Sequence, residues 1–591
     1  MERAASAYQQ GNWTEAERLC RVVLDAQPDN FDVLYLMGMI AAQTQRLQEG
    51  AALLARAVST NPNHAEAFYN RGIVLSGLGR HETALESYES AIALKPVYVQ
   101  AHHSRGNALL SLNRPAAALE SFERAIALAP DHAEACNNRG IAHFYLKHFE
   151  DALDSFERAI ALAPDYADAH YNLGNALRDL DRHEEALASY EKAIALRPDH
   201  AEACNNRGVA LFNLKRHTAA LESYERAIAL RPGYAVACNN RGVVLLALKR
   251  HEAARESFER ALAITPDYAD AHCNLGNALR NLNRYEEALQ RYERAVALKP
   301  DHAEAHNSCG LTLFELKRHA AALNSYERAI GIKPDYGDAH FNRGNALHEL
   351  HQSEQAIAAY RQALANGGNA ERIAYALAAL GAAPVPAAAP AQFVAGLFDR
   401  YADRFDQHLV GSLKYQTPAL LVDQLTRFCS SRNLDILDLG CGTGLLGPLL
   451  RPLAGTLTGV DLSGNMLEKA RQRQLYDDLV EAEVGAFLQT KRDTYDLAIA
   501  ADVFVYIGDL AAVFAGARHA LRQGGWLSFS IEAGDGADFV LRPTRRYAHS
   551  AAYLERLARD HGFSVSSIEQ RVIRQERGAD INGNLALMRR A

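Results

Sequence analysis

The chain has 591 residues, with 71 acidic and 63 basic side chains, a formal charge of −8 and 48% hydrophobic residues. That length exceeds one domain of roughly 100–200 residues, and the mild acidity argues against a general binder of nucleic acid or anionic membrane. No apolar run approaches the ~18 residues of a membrane span, and Met1-Glu2-Arg3-Ala4-Ala5 lacks export-signal character, so a cytoplasmic location is expected.

The first two-thirds is periodic. Glycine recurs every 34 residues from Gly38 to Gly344, and proline does so from Pro28 to Pro334. In residues 201–234, Cys204, Arg207, Gly208, Leu211 and Leu214 fall at spacings of three and four, which predicts a helix. A second helix continues through Tyr224, Ala227 and Ile228 until Pro232 stops it. Gly208 and Ala220 are small, so the two axes can approach closely. Neither helix can bury its apolar stripe alone, and neighbouring units must stack. Ten units run from residue 31 to about 370, and residues 1–30 make a shortened eleventh in which Ala16 and Pro28 keep register. The pattern resembles tetratricopeptide (TPR) repeats, which implies an all-α superhelical solenoid.

Within the repeats, Cys136, Cys204 and Cys238 share one slot and read as small apolar fillers. No cysteine pair has zinc-ligand spacing, so neither a metal site nor a disulfide framework is expected. His81, His183, His217, His251 and His319 occupy a slot held elsewhere by Trp13, Leu47, Phe149 or Tyr285, and read as packing groups. Asn70, Asn138, Asn172, Asn206, Asn240, Asn274 and Asn342 recur at one position, with Ser104 and Ser308 filling it elsewhere. The resemblance implies that this position faces a concave groove and takes a protein or peptide partner. An amide donates and accepts at once, so a ladder of them can hold an extended backbone. Arg71, Arg105, Arg139, Arg207, Arg241 and Arg343, one residue later, would attract an acidic peptide. The other reading is that both rows are solvated or bridge adjacent units.

Gly367-Gly368 stands where a proline is due, and residues 371–380 predict one more helix over the exposed stack, closing a repeat region of 1–380. Residues 381–392, rich in alanine and proline, read as a semi-rigid linker. From 393 to 591 strands alternate with helices, which signals a separate α/β domain.

Residues 434–437 form a short apolar strand before Asp438-Leu439-Gly440-Cys441-Gly442-Thr443-Gly444; a predicted helix starts at Leu445, and a second strand, 457–460, ends in Asp461. Strand, glycine turn, helix, strand and acid is the layout of a nucleoside-type cofactor site on a doubly wound sheet. Glycines let the backbone approach a ligand, the helix N-terminus favours negative charge, and Asp461 can accept from both ribose hydroxyls. Gly442 to Gly447 also fits the dinucleotide fingerprint, which keeps NAD in view. Asp438 separates the two: dinucleotide phosphates repel it, whereas the ammonium and sulfonium of S-adenosylmethionine attract it.

The acid-x-Gly-x-Gly-x-Gly pattern resembles motif I of class I S-adenosylmethionine-dependent methyltransferases. It implies a Rossmann-like α/β domain with S-adenosyl-L-methionine held by Asp438, Gly440, Cys441, Gly442, Gly444, Asp461 and Leu462. Met466 is expected against the adenine face, and Glu483 with Val484 near the adenine amino group. Ser463 is expected to cap the next helix. Residues 495–502 resemble motif IV, a strand whose closing acid, Asp502, lies beside the transferred methyl. Residues 524–530 read as the turn into a fifth strand, with last strands expected near 563–568 and 584–588. Residues 398–406 have helical spacing; the resemblance implies a lid with Tyr401 lining the site, plain packing of Phe398, Tyr401 and Phe405 being the alternative. With Leu413-Lys414-Tyr415 and residues 546–550, the whole chain resembles predicted methyltransferases carrying TPR repeats, a likeness that implies no substrate.

Where an oxygen or nitrogen acceptor needs a base, the candidates are Asp502, Tyr506, His408 and His549, the last beside Arg545 and Arg546, which together can hold a carboxylate. The expected function is methyl transfer, with the array recruiting a protein or holding the acceptor. Its rivals are a scaffold whose C-terminal domain binds cofactor with little activity, and glycosyl transfer, for which the chain after the linker is too short.

Overall fold

The computed structural model describes residues 1–402, 405–406, 415–536, 538–576 and 579–591. The chain divides into two compact units, Met1–Pro300 and Asp301–Ala591.

In the first unit each 34-residue stretch folds as two helices, for example Ala201–Asn213 and His217–Leu230. Lys215, at φ 61°, reverses the chain between them. From the pair containing Gly72 onward, an aromatic ring is laid on a bare backbone, whereas Gly38 meets Leu54. A Cβ on Gly208 would stand 2.7 Å from Tyr224 Cε1, and one on Gly242 would stand 2.4 Å from Phe258 Cε1. The same pairing runs from Gly72 and Tyr88 to Gly276 and Tyr292. These rings are almost fully buried, and each contributes about 1.5–3 kcal/mol by leaving water. The spacing of small residues announced close helices; the ring sixteen residues on supplies the reason.

The second unit begins with two more such pairs, in which Tyr326 lies on Gly310 and Tyr360 on Gly344. The following helix, Ala370–Ala379, buries Tyr375, Ala378 and Ala379 against Phe393, Leu541 and Tyr547, and Tyr375 Oη donates to the Arg545 carbonyl at 2.6 Å. The segment after it is pinned as well. Tyr547 Oη donates to the Pro386 carbonyl at 2.8 Å, Gly508 N–H to Ala387 at 2.7 Å, and Ala389 N–H to Tyr506 at 2.9 Å.

One sheet follows, built from β1 (Leu434–Leu439), β2 (Ala454–Asp461), β3 (Asp478–Glu481), β4 (Tyr495–Ala500), β5 (Leu521–Ala533), β6 (Phe539–Leu541), β7 (Tyr547–His549), β8 (Phe563–Glu576) and β9 (Ala579–Arg590). The order β3-β2-β1-β4-β5 is parallel throughout. β9 runs antiparallel to β5 and β8 antiparallel to β9, while the short β7 and β6 continue from the far end of β5. Buried side chains cover both faces, so β1 and β4 read as continuous apolar runs. Strand order reverses between β1 and β4, and that crevice is where such sheets bind ligands.

Two expectations change. The helix predicted from Leu445 is one turn, Gly447–Leu450, because β2 already begins at Ala454. β8 and β9 are far longer than expected; the outer strand of the hairpin exposes Ser564, Gln570 and Arg571, so little apolar signal marks it.

Gly242→Val forces a branched side chain into the Phe258 ring. We expect a loss of about 1–3 kcal/mol, read as a lower urea midpoint at unchanged slope.

Candidate functional site

Beyond β1 the backbone turns through Gly440 (φ 63°), Gly442 (φ 55°) and Gly444 (φ 83°). At Gly440 a Cβ would lie 2.4 Å from Val503 Cγ2, so both conformation and space demand glycine there. Asp461, closing β2, clasps the turn: Oδ2 accepts from Gly442 N–H at 2.8 Å and Oδ1 from Ser463 N–H at 2.9 Å. Ser463 caps helix Gly464–Gln472, its Oγ accepting from Met466 N–H at 3.1 Å.

A second layer lies over this turn. Helix Ala391–Tyr401 is tied down by Asp399, which accepts from Ser463 Oγ at 2.6 Å. Asp406 accepts from Thr443 Oγ1 and pairs with Arg473. The Phe405 ring covers Gly442, and Phe398 meets Phe405 and Tyr506 edge-on at 5.9 and 5.6 Å.

Between the layers is a cavity of about 1060 Å³. Its lining includes Gly440, Gly442, Asp461, Leu462, Glu483 and Val484, with Tyr401, Phe405 and Tyr415. Asp502, Tyr506 and Arg574 line it as well, as do the apolar Val394, Leu397 and Ile507. Arg546 contributes with Lys317, His319 and Glu349, which come from the repeats.

Charge is concentrated at two points. Asp502 (φ 55°) accepts from Ser530 Oγ at 2.8 Å and from Arg574 Nη1 at 2.9 Å. Arg574 also pairs with Glu532, which Arg542 reaches at 3.1 Å and Arg546 at 3.8 Å. Arg574 and Glu532 are both 3% exposed, so their charges must neutralise each other. Under the glycine turn lies the other point. Asp438 is wholly buried, with Oδ2 accepting from Tyr476 Oη at 2.6 Å and Oδ1 lacking a partner among the described residues. Burial pushes its carboxyl up to about 7, and burial also raises Asp461.

A family model described as a methyltransferase domain matches residues 437–527, the stretch from the end of β1 into β5. Tetratricopeptide-repeat models match 7–70, 69–133, 103–167, 137–198 and 171–235, and a TPR repeat model matches 244–283, 276–317 and 310–351. The chain is a tetratricopeptide-repeat protein with a methyltransferase domain. That domain is similar to the ubiquinone biosynthesis O-methyltransferase of Hydrogenovibrio crunogenus, 33% identical over 117 residues, 19% of this chain and 48% of the relative. The chain thus spans about half the length of that relative. The enzyme of the same name from Thiobacillus denitrificans is 28% identical over 185 residues, 26% of this chain and 78% of the relative. The crystal structure of YrrB, a TPR protein with an unusual peptide-binding site, is 25% identical and covers 32% of this chain and 96% of its own, at a TM-score of 0.28. No helix among the described residues is long and apolar enough to cross a membrane.

The methyltransferase cavity gathers many of the residues singled out from sequence, namely Gly440, Gly442, Asp461, Leu462, Glu483, Val484, Tyr401, Asp502 and Tyr506. Others lie elsewhere. Asp438 sits beneath the turn, Met466 is wholly buried under its helix, and Cys441 packs behind the loop toward Gly459. Gly444 faces Tyr476 and Arg473. His549 is corrected as a base: it is wholly buried, its Nε2 donating to the Ile507 and Gly508 carbonyls at 2.9 and 3.0 Å, and burial pushes it down to about 4. Arg545 holds no carboxylate; it donates to Asn345 Oδ1 at 2.7 Å and Tyr360 Oη at 2.8 Å, tying the turn before β7 to the last repeat pair. His408 lies outside the described residues. Tyr415 and Arg574 were missed as wall residues. For Arg574 no local signal existed, since β8 also carries Arg571 and several polar residues.

The asparagine row is corrected too. Its amides bridge neighbouring units instead of standing free: Asn70 donates to Tyr35 Oη at 2.6 Å, Asn138 to Asn107 at 2.9 Å, and Asn206 to Asn175 at 2.8 Å. Asn172, Asn240, Asn274 and Asn342 donate to Asn137, Asn205, Asn239 and Asn307 at 3.0–3.1 Å. Arg71, Arg105, Arg139, Arg207 and Arg241 hydrogen-bond a serine of their own unit's second helix, and Arg343 pairs with Glu327. The periodic histidines pack as expected, His217 on Phe212 at 5.3 Å and His319 on Phe314 at 4.8 Å.

Arg574→Met takes from Asp502 its ion partner and leaves Glu532 to Arg542 and Arg546. Its cost should be about 3–5 kcal/mol by chemical denaturation, and adding Glu532→Gln should return part of it. For Asp438 the folded pKa is raised, so its stability contribution is complete below the unfolded value near 4 and is lost as pH climbs through about 7. Asp438→Asn should therefore melt higher than wild type at pH 8 and alike at low pH; parallel pH profiles would exclude this.

Proposed function

We propose that the domain transfers a methyl group from S-adenosylmethionine to an oxygen of an acceptor bearing a negative group. The observation carrying the donor is the pair of buried carboxyls at the glycine turn. Asp438 has an oxygen without a partner, and burial raises both Asp438 and Asp461. Such a site gains from a bound cation and opposes a pyrophosphate, so the residues fit an ammonium- and sulfonium-bearing donor.

In this reading Asp461 accepts from the ribose hydroxyls with lone pairs its two N–H partners leave free. Gly440 and Gly442 let the backbone close on the donor, while Leu462, Glu483 and Val484 bound the adenine. Tyr401 and Phe405 exclude water from above. When bound, the donor supplies an already electrophilic methyl, so alignment is the protein's main task and can be worth about 7–11 kcal/mol.

Asp502, fixed by Ser530 and Arg574, gives the acceptor end a rigid anion, and Tyr506 offers a phenol beside it. Arg546 and Lys317 favour an anionic acceptor whose apolar part lies on Val394, Leu397 and Ile507. Oxygen as the accepting atom is supported by relatives named O-methyltransferases. The repeats take part through Lys317, His319 and Glu349, so selection of the acceptor at the cavity mouth is their proposed role. Their asparagines are occupied by one another, which weighs against a backbone-gripping ladder.

Calorimetry tests the donor. S-adenosylmethionine should bind more tightly as pH rises through about 7, because the cation favours ionised Asp438. Asp461→Asn should weaken binding roughly 10–100-fold, the worth of hydrogen bonds to a charged acceptor. Heat from a pyridine dinucleotide with none from S-adenosylmethionine would falsify the reading.

A further inference from the structure

One unit of the first compact body departs from its neighbours in chemistry. At the slot of His143, the other units carry Leu75, Leu109, Leu177, Leu211, Leu245, Leu279, Leu313 and Leu347, with Ala41 in the earliest. At the slot of His148 they carry arginine, from Arg46 and Arg80 to Arg284 and Arg318, with Gln352 in the last. In three units an acid follows three residues after that arginine, Glu49, Glu185 and Glu287, and the two pair, as in Arg182 with Glu185 and Arg284 with Glu287, both at 2.7 Å. The deviant unit keeps the acid, Asp151, and exchanges its cation for an imidazole.

The fold brings the three together. His143 lies in the last turn of helix Ala133–Tyr145, His148 caps the start of helix Phe149–Leu162, and Asp151 is in that helix's first turn. One donor atom from each lies within 4.8 Å of the others. Among the described residues His143 Nδ1 is buried without a hydrogen-bond partner, as is Nδ1 of the packed His81, His183, His217, His251 and His319. What sets His143 apart is its place in a leucine slot, with Asp151 Oδ2 at 3.9 Å and a second imidazole in reach of both. Arg139, one turn earlier, is engaged with Ser155 Oγ at 3.0 Å.

We propose that His143, His148 and Asp151 form a binding site for a divalent transition-metal ion of the zinc class. Two imidazoles and a carboxylate suit zinc, with water completing the set. Tetrahedral ligands at ~2.0–2.1 Å stand about 3.3 Å apart; rotation of the exposed His148 and Asp151 side chains closes the gap. The site is separate from the methyltransferase cavity and does not rest on the donor assignment.

Two variants test it without a folding penalty, because each restores the residue that other units use. The full chain, stripped with chelator, is titrated with zinc by calorimetry and with cobalt(II) by visible absorption. Wild type should take up one ion with high affinity and melt several degrees higher with zinc. His143→Leu and His148→Arg should fold normally by circular dichroism, bind at least tenfold more weakly, and lose the melting shift. No saturable uptake near one equivalent, or equal affinity in wild type and both variants, overturns the proposal.

Discussion

How closely two elements approach is set here by positions that lack a Cβ. From the unit of Gly72 onward the ring of the second helix lies on the glycine of the first, so that one contact couples the spacing of the helices to the burial of a large side chain. At the end of β1 the same absence of side chain lets Val503 press against Gly440 and Phe405 lie over Gly442. The array and the catalytic crevice are thus alike in depending on backbone left bare.

From that constraint the crevice acquires its electrostatics. The turn after β1 is closed enough to exclude water from Asp438, and Asp461 spends lone pairs on the loop's own N–H groups. In the proposed function these two desolvated carboxyls favour a cation. Nearby, Arg542, Arg546 and Arg574 gather on Glu532, and Arg574 also pairs with Asp502.

Within the second unit, the last repeats form part of the cavity wall. Tyr375, Arg545 and the pinned segment after residue 380 make the sheet and the last helices share a core. Residues read as a linker are hydrogen-bonded along their length because alanine and proline give a smooth extended strip that fits beside the turn following β4. Composition reports stiffness; it does not report what the strip lies on.

Much was legible before any coordinates. A period of 34 residues, stop signals at proline, and a glycine turn between two apolar strands are local patterns, and they determine helix pairs, the switch from α to α/β, and the crevice containing Gly440, Gly442 and Asp461. What remained hidden depends on partners distant in the chain. Arg574 meets Asp502 across 72 residues, and the asparagines meet the unit before rather than a groove. Whether a polar group is spent or available, as with His549 and Arg545, is decided by which strand or helix packs on it. Only tertiary structure supplies that, because satisfying a buried donor takes a neighbour that no single segment contains.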